Sequence, residues 1–86
     1  MPTVYLVPAG TDSAPGASSG DYLLRPAHGD LYEVGKQDSD CTWIGTLAAS
    51  LLPAVPAVDE PQEAPDQAQL LAAVQGLESA QDLRGG

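Results

Sequence analysis

Four of the eight prolines in this chain fall within the thirteen residues PAVPAVDEPQEAP, positions 53–65. Proline fixes its own φ, lacks an amide donor and pushes the preceding residue toward extended backbone. No regular helix or central strand survives that spacing, so the segment reads as an acidic, extended linker of polyproline II character. It divides the 86 residues into a body (1–52), one further stretch (66–83) and a short tail (84–86). The length holds a single small domain whose stability margin is thin.

The larger apolar residues concentrate before Pro53, then return as Leu70, Leu71, Val74 and Leu77. There is no Phe, and Trp43 is the only tryptophan, so the core must rest on Leu, Val and Ala with three tyrosines at its edges. Within the body, TVYLV has the β-branched and aromatic character of a strand and stops at Pro8. Alternation puts Val4 and Leu6 on one face, Tyr5 and Val7 on the other. Residues 8–20 are nearly all Gly, Ala, Ser, Pro, Thr and Asp, which predicts a flexible loop or arm.

DYLLRPAHGDLYEVGK then reads as strands at 21–25 and 31–35 joined across PAHGD, where Gly29 can supply a positive φ. Residues 41–52 admit two readings. Thr42, Trp43, Ile44 and Thr46 suit a strand, whereas Trp43, Ile44, Leu47, Ala48, Leu51 and Leu52 share a helical face with Asp40 as its cap. The preferred reading is a strand through about Leu47, followed by a short turn of helix or coil to Pro53. The fold class expected is therefore mainly β, a small α+β domain. It comprises a short antiparallel meander with an N-terminal strand, extended arm and linker segments, and one C-terminal helix.

That helix is expected to begin at Asp66, whose carboxylate and Gln69 have capping-box spacing. Leu70, Leu71, Val74 and Leu77 form a narrow stripe, and Gly76 costs the helix about 1 kcal/mol relative to Ala. Isolated helices of this length are marginal in water. The stripe must cover either the meander or a partner.

A formal charge of −9, from twelve acids against Arg25, Lys36 and Arg84, opposes nucleic-acid binding and attachment to anionic membranes. It favours solubility and attraction to a basic partner. Cys41 is the only cysteine, so no intrachain disulfide forms. The first residues lack the basic start of a signal peptide, and LAASLLPAVPAV is too short to span a bilayer. These features point to a cytoplasmic protein or a virion component.

Chemistry-bearing residues are sparse. His28 and Cys41 are the only pair suited to nucleophilic catalysis, and nothing in the sequence forces them together. Asp30, Glu33, Asp38 and Asp40 lack calcium-loop spacing, and GASSGD lacks the Lys and helix start of a phosphate cradle. PAVP has PxxP spacing without a basic flank, which makes it a stiff spacer more than a recognition motif. No catalytic residue, metal site or cofactor is expected.

The final four residues, Leu83, Arg84, Gly85 and Gly86, resemble the end of ubiquitin. That resemblance implies a β-grasp carrier, of the ubiquitin-like or sulfur-carrier kind, whose last strand feeds a diglycine tail and whose Gly86 carboxylate is activated. The preceding segment reads instead as helical. The alternative is a helix stop, with Gly85 ending the helix and Arg84 complementing its dipole.

The sequence therefore predicts a small acidic, non-enzymatic structural or protein-binding accessory subunit that attaches to a larger assembly. A viral particle or multisubunit complex suits that layout. The partner-binding residues expected are Leu70, Leu71, Val74, Leu77 and Trp43. A ubiquitin-like or sulfur carrier and an acidic inhibitor of a nucleic-acid-binding protein are the alternatives.

Overall fold

Strand β1 (Val4–Leu6) lies beside β2 (Tyr22–Pro26) in parallel, with Val4 opposite Tyr22 and Leu6 opposite Leu24. Parallel neighbours need a long crossover, and residues 7–21 supply it without a helix. In the computed structural model, which describes residues 1–85 and the helix side chains only as far as Asp82, β2 continues into an antiparallel meander. Its further strands are β3 (Leu31–Gln37) and β4 (Cys41–Ala48). A 3-10 turn at Ala49–Leu51 follows, as the strand-then-turn reading of this stretch expects. The chain then returns so that β5 (Gln62–Glu63) pairs antiparallel with β1, and it ends in α1 (Gln67–Gly85). The sheet order is β4-β3-β2-β1-β5. This is a small α+β fold, a mixed five-stranded sheet with one C-terminal helix.

The turn after β2 is the one its residues dictate: Gly29 has φ 65, and Ala27 N donates to Leu31 O. The linker does more than space the two halves. Gln62 and Glu63 extend the sheet, Ala64 is buried, and Val55 and Val58 pack on the core, so the proline-rich stretch is a strap across the sheet. Its extended backbone is what lets it pair. The helix begins one residue later than expected and runs two residues further. Asp66 has φ 55, a left-handed conformation that Asp tolerates better than most residues. Instead of an Asp66–Gln69 capping box, Gln67 secures the helix start. Its Oε1 accepts from Val4 N (2.9 Å), and its Nε2 donates to Val4 O (2.8 Å) and Ala64 O (2.7 Å). The roles expected of the Arg84 side chain and of Gly86 lie outside the described residues.

Two apolar layers flank the sheet. On one face Val4, Leu6, Tyr22, Leu24 and Val34 meet Leu70, Leu71 and Val74 of α1. Leu70 is 1 % exposed and Val74 0 %, so the stripe covers the protein's own sheet. The other face holds Val7, Leu23, Tyr5, Cys41 and Trp43, roofed by the 8–20 arm through Ala14 and Ala17. Buried Asp21 ties down the base of that arm, its two carboxylate oxygens accepting from Thr3 N (2.9 Å) and Ser18 N (2.8 Å). This roof leaves little trace in the sequence, because alanine buries too little area to announce a packed face.

Glycine chemistry differs sharply between sheet and helix. A Cβ on Gly35 would sit 2.5 Å from Cys41 Sγ and 2.9 Å from the Trp43 ring, which lies across it. At Gly76 a Cβ would meet nothing within 4 Å. Gly76→Ala is therefore expected to raise unfolding stability by about 0.5–1 kcal/mol through helix propensity. Gly35→Ala is expected to lower it by about 1–3 kcal/mol through overpacking. Urea denaturation of both variants measures the two effects.

Candidate functional site

Chemistry that the sequence left open is separated by the fold. His28 sits on the β2–β3 turn, while Cys41 is paired with Gln37 at the far end of β3. With ~3.3 Å per residue along β3, the two lie about 20 Å apart. Burial pushes the Cys41 thiol up, only partly opposed by the nearby Arg25 charge. The four acids of the meander do not converge either. Asp30 lies at the His28 end, Glu33 binds Arg25, and Asp38 and Asp40 bracket the opposite turn.

Both basic side chains of the body are engaged internally. Arg25 lies 3.6 Å from the centroid of the Trp43 ring, donates from Nε to Glu33 Oε1 (3.1 Å) and from Nη1 to Thr11 O (3.0 Å). It thereby fastens the arm to the sheet through a cation–π stack and charge-assisted hydrogen bonds. Lys36 Nζ donates to Glu78 Oε2 (2.8 Å), and Tyr22 OH donates to Glu78 Oε1 (2.6 Å). Glu78 thus joins α1 to β2 and β3. The Lys36 and Tyr22 hydrogen bonds hold its carboxyl below the usual glutamate range. Burial and the Glu78 contact push the Tyr22 phenol up, and the Glu78 hydrogen bond raises Lys36.

What remains open is the outer edge of β4. At eight residues it is the longest strand, and its only neighbour in the sheet is β3. Among the described residues, no backbone hydrogen bond outside the β3–β4 ladder reaches Cys41–Ala48. Ala49 N donates inward to Asp30 O (2.7 Å). Alternation along the ladder therefore turns the amides of Thr46 and Ala48 away from β3. The register slips by one residue where Val34 faces Gly45 and Gly35 faces Trp43, leaving Ile44 as the extra residue of a bulge. Gly45 lies close under the helix, where a Cβ would come within 3.1 Å of Gln81 Nε2 and 3.2 Å of Leu77.

Two hollows border the first half of this edge, one on each face. On the helix side a hollow of about 430 Å³ is lined by Lys36, Asp38, Thr42, Ile44 and Glu78. On the arm side another of about 370 Å³ is lined by Asp12, Gln37, Asp40 and Cys41. Beyond the other end, Leu51 is 68 % exposed.

Of the residues expected to bind a partner, Leu70, Leu71 and Val74 are buried in the core and Leu77 is half-buried against it. Trp43 stands apart on β4, half-buried beneath the arm side of the sheet. The open edge itself was not legible as a site, because edge position depends on strand order. Comparison with protein-family models, curated proteins and solved structures finds no match to this chain.

The Tyr22–Glu78–Lys36 group gives a definite pH signature. The share from the lowered Glu78 is present above the ordinary glutamate range and lost as pH falls through its folded value. The shares from the raised Tyr22 and Lys36 are present below their ordinary values and lost as pH climbs through the raised ones. Lys36 is 41 % exposed, so solvent screens its part. Glu78→Gln should cost about 1–2 kcal/mol near neutrality, with the deficit shrinking at both acid and alkaline extremes. Denaturant titrations across pH read that curve.

Proposed function

We propose that this chain is a small acidic, non-enzymatic accessory protein that attaches to a protein partner or larger assembly through the open edge of β4. The observation that carries the reading is an eight-residue strand with a single neighbour and outward-turned amides at Thr46 and Ala48. Unpaired strand edges are templates for an added strand, in which main-chain hydrogen bonds provide affinity and flanking hollows receive alternate side chains. Trp43 belongs to this reading as the ring that props the edge strand from the arm side. The helix stripe does not, because the sheet takes it up.

The separation of His28 from Cys41 and the raised Cys41 thiol favour binding over catalysis. A cytoplasmic or particle-bound setting accords with the free cysteine, and among the described residues no helix is long and apolar enough to cross a membrane. The diglycine-carrier alternative needs a final strand before its tail, and α1 occupies that stretch. The acidic-inhibitor alternative draws on charge alone and offers no defined contact surface.

A photo-crosslinking residue placed at exposed Thr46 is expected to capture a partner in the native source, whereas one at exposed Ala72 on the outer side of α1 is not. Thr46→Pro, combined with a crosslinker at exposed Thr42, should abolish the adduct. Proline removes only an outward amide there, so the β3–β4 ladder survives. Equal capture from Thr46 and Ala72, or an adduct indifferent to proline, would refute docking at this edge.

A further inference from the structure

We infer that the strand received by β4 is an extended segment with two consecutive basic residues at one end and β-branched or apolar residues at the other. This rests on the edge-docking reading above and specifies its partner. Consecutive side chains of an added strand point to opposite faces of the sheet. Beside Cys41 and Thr42, the helix-side hollow presents Asp38, and the arm-side hollow presents Asp12 and Asp40. One basic side chain therefore meets carboxylates on each face. Lys36 and Glu78 neutralise each other within the helix-side hollow, and Asp82 adds negative charge beside Lys36, so the field there stays acidic. At the other end, Thr46 and Ala48 offer the outward amides, and exposed Leu51 continues the surface with apolar area.

The same charges argue against a second copy of this chain as the occupant. A two-fold antiparallel pairing of β4 edges places the Asp38–Asp40 turn of each copy near the Asp30 end of the other. Like charges facing across strands are destabilising.

The test uses the full chain, isotope-labelled, and three eight-residue peptides followed by amide chemical shifts. The first is acetyl-Thr-Lys-Arg-Thr-Val-Thr-Val-Thr-amide. The second carries Glu-Asp and the third Gln-Thr in place of Lys-Arg. The expected result is that the first peptide shifts amides along Cys41–Ala48. It should bind at least about 10-fold more tightly than the Glu-Asp peptide and weaken several-fold when salt is raised well above physiological strength. Asp38→Asn with Asp40→Asn should narrow the difference, and Thr46→Pro, shown folded by its own spectrum, should abolish the β4 shifts. Equal β4 shifts from all three peptides would overturn the basic class while leaving edge docking intact. Absence of β4 shifts with every peptide would overturn both readings. Shifts from the basic peptide confined to residues outside β4, or concentration-dependent β4 shifts without peptide, would overturn the inference in favour of diffuse charge binding or self-pairing respectively.

Discussion

The fold depends on the burial of one narrow helical stripe. Leu70, Leu71 and Val74 close over Val4, Leu6, Tyr22, Leu24 and Val34. A helix of this length is marginal in water, and a small sheet without phenylalanine has little else to cover its face. Each fully buried Leu or Val contributes on the order of 1.5–3 kcal/mol, a large fraction of the net stability of so small a domain. The strap and the Gln67 amide are consequences of that requirement. They bring the chain back along β1 so that the helix starts where its stripe lands on the sheet.

The opposite face is solved with different materials. Among the described residues, no second helix covers it. The 8–20 arm lies across it, held by the Asp21 carboxylate at its base and by Arg25 near Thr11. Trp43 fills the space above Gly35, and Arg25 stacks on the Trp43 ring. An aromatic ring laid over a strand glycine packs a surface that otherwise lacks a side chain. The cost is a tight position, since even one methyl group at Gly35 must displace Cys41 Sγ or the Trp43 ring.

Internal use of cations shapes the exterior. Arg25 and Lys36 are both drawn into ion pairs with Glu33 and Glu78. Apart from buried Asp21, the remaining carboxylates of the meander and arm are left facing solvent, and Asp12, Asp38 and Asp40 gather at the Cys41 end of β4. An exposed edge strand usually needs protection against pairing with its own kind. Here the acidic Cys41 end provides it against a second copy, while leaving the edge receptive to a strand of opposite charge.

Much of this was written in local chemistry. Pro8, Pro53, Pro56, Pro61 and Pro65 mark where regular structure stops, because proline cannot donate to a ladder or continue a helix. Gly29 marks the hairpin, period-two alternation separates Val4 and Leu6 from Tyr5, and 3.6-residue spacing picks out the stripe. These signals act over a few residues and determine the strands of the meander, the single helix and the acidic character of the surface. They do not determine strand order. That β1 runs parallel to β2, that Gln62 and Glu63 become a strand, and that β4 is left at the rim all follow from long-range closure around the helix stripe. Backbone hydrogen bonding is indifferent to residue type apart from proline, so a two-residue strand in a proline-rich strap leaves no local pattern. The open edge, its paired acidic hollows and the distance between His28 and Cys41 were decided only when the sheet assembled.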